Sequence, residues 1–120
     1  MTHELFIEKG TDYSPETIYL SSGEILITGE SRPENPKEFY DALFRGLKEF
    51  FDLTRPISIQ FKFDYVSSSS ILCILELIRK ISEFNQVTIF WLYDELDDDI
   101  KELGEIFKDS YNFPIQLILN

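Results

Sequence analysis

At 120 residues, 43% apolar and 15% aromatic, the chain has the composition of one compact domain spanning 1–120 rather than of a disordered segment. Its 22 Asp and Glu against 11 Lys and Arg give a net charge of -11, which repels phosphate backbones and anionic headgroups and argues against nucleic acid or membranes as partners. Its single cysteine, Cys73, excludes a disulfide scaffold and a thiolate metal site, and its apolar neighbours predict a buried core thiol.

Along the chain, residues 5–8, 17–20 and 24–28 read as short strands, with "SSGE" at 21–24 supplying the turn of a hairpin. The start, "MTHELFIEKG", has no basic segment leading into an apolar core, and nothing approaches the roughly 18 apolar residues of a membrane span. A cytoplasmic protein is expected. Next comes a helix with a marked beginning: Asn35 as N-cap, Pro36 in the first helical position and Glu38 three residues after the cap. Phe39, Tyr40, Leu43, Phe44, Leu47, Phe50 and Phe51 then recur at helical spacing and make one apolar face. Pro56 follows its end.

Residues 57–66 alternate strictly, with Ile57, Ile59, Phe61, Phe63 and Tyr65 opposite Ser58, Gln60, Lys62 and Asp64, as in a strand with one buried face. Residues 71–84 predict a second helix, apolar nearly all round in its first turns and so deeply packed. "VTIFWLY" at 87–93 fits a central strand covered on both faces. "DELDDDIKELGEIFKDS" predicts a third helix with Leu96, Ile100, Leu103 and Phe107 turned inward, and "FPIQLILN" a last strand with Ile115, Leu117 and Leu119 on one face. The expectation is an α/β fold: a mixed, largely parallel sheet with an N-terminal antiparallel hairpin and three main helices.

Catalytic chemistry is poorly signalled. The lone histidine, His3, leaves a hydrolytic triad without a base, and no glycine-rich phosphate loop occurs. The acids of 94–99, broken only by Leu96, lack the spacing and turn glycine of a calcium loop; as a helix's first turn they oppose the macrodipole. No cofactor and no metal are expected. A small enzyme using carboxylates such as Glu34 and Asp94 is the weaker alternative.

Four consecutive serines, Ser67, Ser68, Ser69 and Ser70, separate the alternating strand from the second helix. A strand entering a helix needs an N-cap, and serine is among the best. One hydroxyl suffices, so the others are displayed where free backbone N–H groups and the helix dipole favour an anion. Capping and phosphate acceptance are both open on spacing alone.

The stretch "ILITGESRPENPKEFYDAL" resembles the G-x-S-x-P-E-N-x-x-x-F-Y signature of the SiaC family of bacterial regulatory phosphoproteins. Further similarity lies in "YSPE" upstream, in "DYVSSSSILCILELI" and in "WLYDELDDDIKELGEIFKDSYNFPIQL", so that it covers about residues 11–119. The resemblance implies a single STAS-like domain and a non-enzymatic protein of cyclic-di-GMP signalling. A Ser/Thr protein kinase and a PP2C-type phosphatase would switch it. The unphosphorylated form would bind and activate an effector such as a diguanylate cyclase, and phosphorylation would release it. The alternative within this fold is an anti-sigma-factor antagonist in a partner-switching module. The family's Asn-Thr-Ser-Ser, with Thr as acceptor, aligns with Ser67–Ser70 and makes Ser68 the acceptor, with Ser69 as alternative. Ser67 would cap the helix, leaving Ser68 to face the kinase, with Ser69 and Ser70 as neighbours. The matching loop Ser31, Arg32, Pro33, Glu34 and Asn35 is expected on the same sheet edge as part of the partner surface, or simply as the stop that fixes the helix start.

Overall fold

A computed structural model describes residues 2–52, 54–84, 86–111 and 114–120. The element order is β1 (Glu4–Glu8), β2 (Glu16–Leu20), β3 (Glu24–Ser31), α1 (Pro36–Phe50), β4 (Ile57–Val66), α2 (Ser68–Ser82), β5 (Val87–Tyr93), α3 (Asp98–Tyr111) and β6 (Ile115–Leu119). The six strands lie side by side in sequence order, β1-β2-β3-β4-β5-β6. β1, β2 and β3 pair antiparallel, and from β3 onward every pairing is parallel, each through a helix. This is the expected mixed α/β sheet. Phe113, included in the expected last strand, lies outside the described residues.

Because β3 to β6 are added in one direction by crossovers of one hand, all three helices fall on the same face of the sheet. The core follows that geometry: Ile25, Ile27, Ile59, Phe61, Ile89 and Trp91 meet Leu43 and Leu47 of α1, Ile74, Leu77, Ile78 and Ile81 of α2, and Ile100 and Phe107 of α3. The Trp91 indole N–H donates to the Ile100 carbonyl at 2.8 Å. Gly104 lets α3 lie close to that ring; a Cβ there would meet the indole nitrogen at 2.7 Å.

Five expectations are corrected. β5 is covered on one face only: Ile89 and Trp91 are buried, while Thr88, Phe90 and Leu92 on the other face are half-buried. α2 is not buried all round, since Leu72 is 71% exposed, and Cys73 is half-buried rather than a core thiol. α3 begins at Asp98, so Leu96 falls in the preceding turn and is 95% exposed. The Asp97 carboxylate, accepting from the Ile100 N–H at 3.1 Å, marks that start. In β6, Ile115 is buried but Leu119 is exposed.

Candidate functional site

The carboxyl ends of β3, β4 and β5 feed α1, α2 and α3 along one edge of the sheet, where α/β folds commonly place function. β3 reaches its neighbour's end through an irregularity. Gly29, at φ 111°, accompanies a register shift, after which Glu30 pairs with Tyr65 and Ser31 with Val66. Only glycine adopts that backbone without strain. The shift leaves Ser31 wholly buried beside the serine run, with its hydroxyl 2.5 Å from that of Tyr40 on α1.

Ser67 stands at the N-cap of α2 with extended backbone (φ -71°, ψ 155°), but its side chain makes no bond to a backbone N–H of the first turn. The expected capping bond is therefore absent, because the hydroxyl is used elsewhere. The Ser67 N–H donates to the Ser31 carbonyl at 2.8 Å, and the Ser70 hydroxyl donates to the same carbonyl at 3.1 Å. Ser67 and Ser70 hydroxyls are 2.9 Å apart, and Ser67 and Ser69 hydroxyls 3.2 Å apart.

Proton counting orders this chain. A carbonyl only accepts, so the single proton of Ser70 is spent on Ser31. Ser67 must then donate to Ser70, and Ser69 to Ser67. Three of the four serine protons are committed in one direction, ending on a buried carbonyl. Ser68 is exposed, and its hydroxyl has no hydrogen-bond partner among the described residues.

The neighbouring loop lies on the same edge, as expected. Asn35 caps α1, its side-chain oxygen accepting from the Glu38 N–H at 3.1 Å, with Pro36 in the first turn. Glu38 returns the contact, accepting from the Asn35 amide at 3.3 Å. Pro33 is half-buried; Glu34 and Asn35 are exposed. Arg32 donates to Glu30 at 3.0 Å and lies over the Tyr13 ring at 4.8 Å. Glu34 and Asp94, the carboxylates considered for catalysis, leave strands separated by β4, so their loops start about 10 Å apart.

Two clefts flank the start of α2. One, between α1 and α2, is lined by Tyr40, Phe44, Leu72, Cys73 and Leu77 and rimmed by Lys37, Asp41, Glu76 and Lys80. The Lys37 ammonium, hydrogen-bonded to Asp41, holds that carboxyl below its usual range, with Lys80 adding to the effect. The other, of about 350 Å³ between the end of β4 and α3, sets Val66, Ile71, Leu103 and Ile106 among Asp64, Asp97, Asp99 and Glu102. A phosphate at Ser68 would add about -1.5 to -2 charges between these clefts, one turn before exposed Leu72.

Sequence reasoning did not single out Tyr40, which reads as one more member of the apolar face of α1. Burial keeps its phenol protonated well beyond the ordinary tyrosine range, against the opposing pull of the Ser31 hydrogen bond. The available signal was a hydroxyl-bearing ring on a face otherwise made of Phe and Leu, since a buried tyrosine needs a partner.

Residues 8–120 match the family described as SiaC family regulatory phosphoprotein. The chain belongs to the SiaC family. A relative is an uncharacterized protein of Pseudomonas aeruginosa (strain UCBPP-PA14), 27% identical over 101 residues, which make up 80% of each chain. The fold matches that of SiaC of Pseudomonas aeruginosa with TM-score 0.73 at 26% identity, covering 97% of this chain and 99% of that one. It also matches apo-SiaC from the same organism, with TM-score 0.73 at 25% identity over 96% and 98% of the two chains. A third match, at TM-score 0.81 and 23% identity over 96% and 99%, is with the crystal structure of the diguanylate cyclase SiaD in complex with its activator SiaC from Pseudomonas aeruginosa. No helix among the described residues of this SiaC-family chain is long and apolar enough to cross a membrane.

Proposed function

We propose that this chain is a non-enzymatic switch protein that, unphosphorylated, binds and activates an effector such as a diguanylate cyclase. A Ser/Thr kinase phosphorylates Ser68, which releases the effector, and a PP2C-type phosphatase restores binding. The observation that carries the reading is the state of Ser68: alone of the four serines it is exposed with its hydroxyl uncommitted, at the first position of a helix whose cap bond is missing. Membership of a family of regulatory phosphoproteins supports the switch, and the activator role of Pseudomonas aeruginosa SiaC supports the class of effector.

The mechanism is local. Unmodified, the α2 start offers Ser68 and Leu72 on one helical stripe, with an apolar-floored cleft on either side. A phosphate places charge and bulk within that surface, an element that rejects the partner rather than merely failing to attract it. The loop from Ser31 to Asn35 belongs to the same surface through its fixed position beside Ser67. The protein acts in the cytoplasm, where kinase and nucleotide are available.

The test is cyclase turnover of GTP with the host's own diguanylate cyclases, each assayed with and without the purified chain. Activation by the unmodified chain and its loss with Ser68→Asp or Ser68→Glu is expected. Activation unaffected by those variants and by Leu72→Arg would remove the assigned surface. Capture of an anti-sigma kinase in place of a cyclase would move the protein to the partner-switching alternative.

A further inference from the structure

We infer that Ser67 and Ser70 are positioning residues that confine phosphorylation to Ser68. This rests on the switch reading above and adds what selects one serine from four.

Phosphorylation joins a serine oxygen to the γ-phosphorus of a nucleoside triphosphate. The bond from that phosphorus to the β,γ-bridging oxygen breaks, the nucleoside diphosphate leaves, and the serine proton passes to a base on the kinase. The attacking hydroxyl must therefore turn towards the kinase and surrender its proton. Ser68 does so without breaking any bond seen among the described residues. Ser69 must first withdraw its proton from Ser67. Ser67 must leave Ser70 and also lose the donor from Ser69. Ser70 is wholly buried, and its proton is held on the Ser31 carbonyl.

The anchor of this order is remote in sequence. Ser31 lies 39 residues before Ser70, and its carbonyl receives both the Ser67 N–H and the Ser70 hydroxyl. The direction of the three committed protons follows from that one carbonyl, because it alone cannot donate. The Tyr40 hydroxyl, 2.5 Å from the Ser31 hydroxyl, braces the residue that bears it. Three serines are thereby spent on each other, which presents the fourth as the single uncommitted nucleophile.

Cutting the chain should spread the modification. In Ser67→Ala the Ser69 proton has lost its acceptor, so Ser69 becomes as free as Ser68 while Ser70 stays locked. In Ser70→Ala the Ser67 hydroxyl loses its acceptor and the Ser67–Ser69 pair is no longer held in one sense. A hydrogen bond of ordinary net strength corresponds to a preference of roughly twofold to tenfold, which sets the size of the expected redistribution.

The experiment incubates the full chain, Ser67→Ala, Ser70→Ala and Ser68→Ala with ATP and an extract of the native host, then maps phosphate by fragmentation mass spectrometry. Melting temperatures confirm that each variant is folded. The inference predicts phosphate on Ser68 in the unmodified sequence, a several-fold rise in the share on Ser69 in Ser67→Ala, and a rise on Ser67 and Ser69 together in Ser70→Ala. A purely structural role for these hydroxyls would alter melting without moving the phosphate. Shares identical to the unmodified sequence in both Ser67→Ala and Ser70→Ala overturn the inference and leave the switch standing. Absence of phosphate from the unmodified chain overturns the switch and the inference with it.

Discussion

α1 and α2 leave the same edge of the sheet from adjacent strands, and a polar N-cap residue precedes each. Asn35 does what a cap is expected to do, accepting from the Glu38 N–H and in turn contacting the Glu38 carboxylate. Ser67 holds the equivalent place but gives its hydroxyl to Ser69 and Ser70, leaving the first turn of α2 without a side-chain cap. The first helix start is closed for stability. The second is held open at some cost, and the pinning that replaces a cap runs through the Ser31 carbonyl. A residue's place at a helix terminus thus does not determine its job; the competing partners within reach decide it.

Alkali should break the comparison most strongly, because the buried phenols belong to one side of it. The Tyr19 hydroxyl bonds the Leu43 carbonyl of α1, and Tyr40 is itself part of α1, whereas α2 contains no tyrosine. Burial, reinforced by Glu8 and Glu49, pushes Tyr19 from the ordinary 10.0 up to about 12. Above pH 10 the unfolded chain releases protons that the folded one keeps, so stability falls with rising pH. The contribution is fully present below that point and is lost as pH passes about 12. It amounts to something on the order of 2 kcal/mol. Denaturant midpoints measured across this range should fall, less steeply in Tyr19→Phe, and amide exchange should open in α1 before α2.

At neutral pH the next largest effect belongs to Tyr40→Phe, which leaves the buried Ser31 hydroxyl unpaired and should cost about 1–3 kcal/mol in urea unfolding. Asn35→Ala then removes a cap in use, at about 1 kcal/mol. Ser67→Ala removes no cap, only the hydroxyl contacts to Ser69 and Ser70, and should cost about 0.5–1.5 kcal/mol. A Ser70→Ala background should lower that cost and leave the cost of Asn35→Ala unchanged, and absence of such coupling would erase the distinction between the helix starts. Smallest is Ser68→Ala, within roughly 0.5 kcal/mol of the parent, since its side chain is exposed and makes no bond among the described residues. A stability-neutral Ser68→Ala is also what makes it a clean reporter of the switch.

How much of this the sequence discloses depends on whether the deciding interaction is local. The start of α1 is legible because Asn35, Pro36 and Glu38 act within one turn of each other, and the strict alternation of 57–66 gave β4 its bounds. The one-sided cover of β5 is not legible, since Val87–Tyr93 would look the same between two layers of helices; strand order and crossover hand decide it. Leu96 was misplaced because the acid run suits a helical first turn, and only the use of Asp97 as cap shows that the helix starts later. The serine run itself was visible, and family resemblance pointed to Ser68. What separates Ser68 from its neighbours physically is a bond from Ser70 to a carbonyl 39 residues away, which no local pattern encodes.

The central claim is that Ser68 is the hydroxyl that switches partner binding. It is tested most directly by intact-mass analysis of the chain and of Ser68→Ala after incubation with ATP and the native kinase, followed by binding of each product to the effector. One added phosphate on the unmodified chain, none on Ser68→Ala, and effector binding lost only in the phosphorylated product is the predicted result. Phosphate that persists in Ser68→Ala, or a phosphorylated chain that binds its effector as tightly as before, would contradict it.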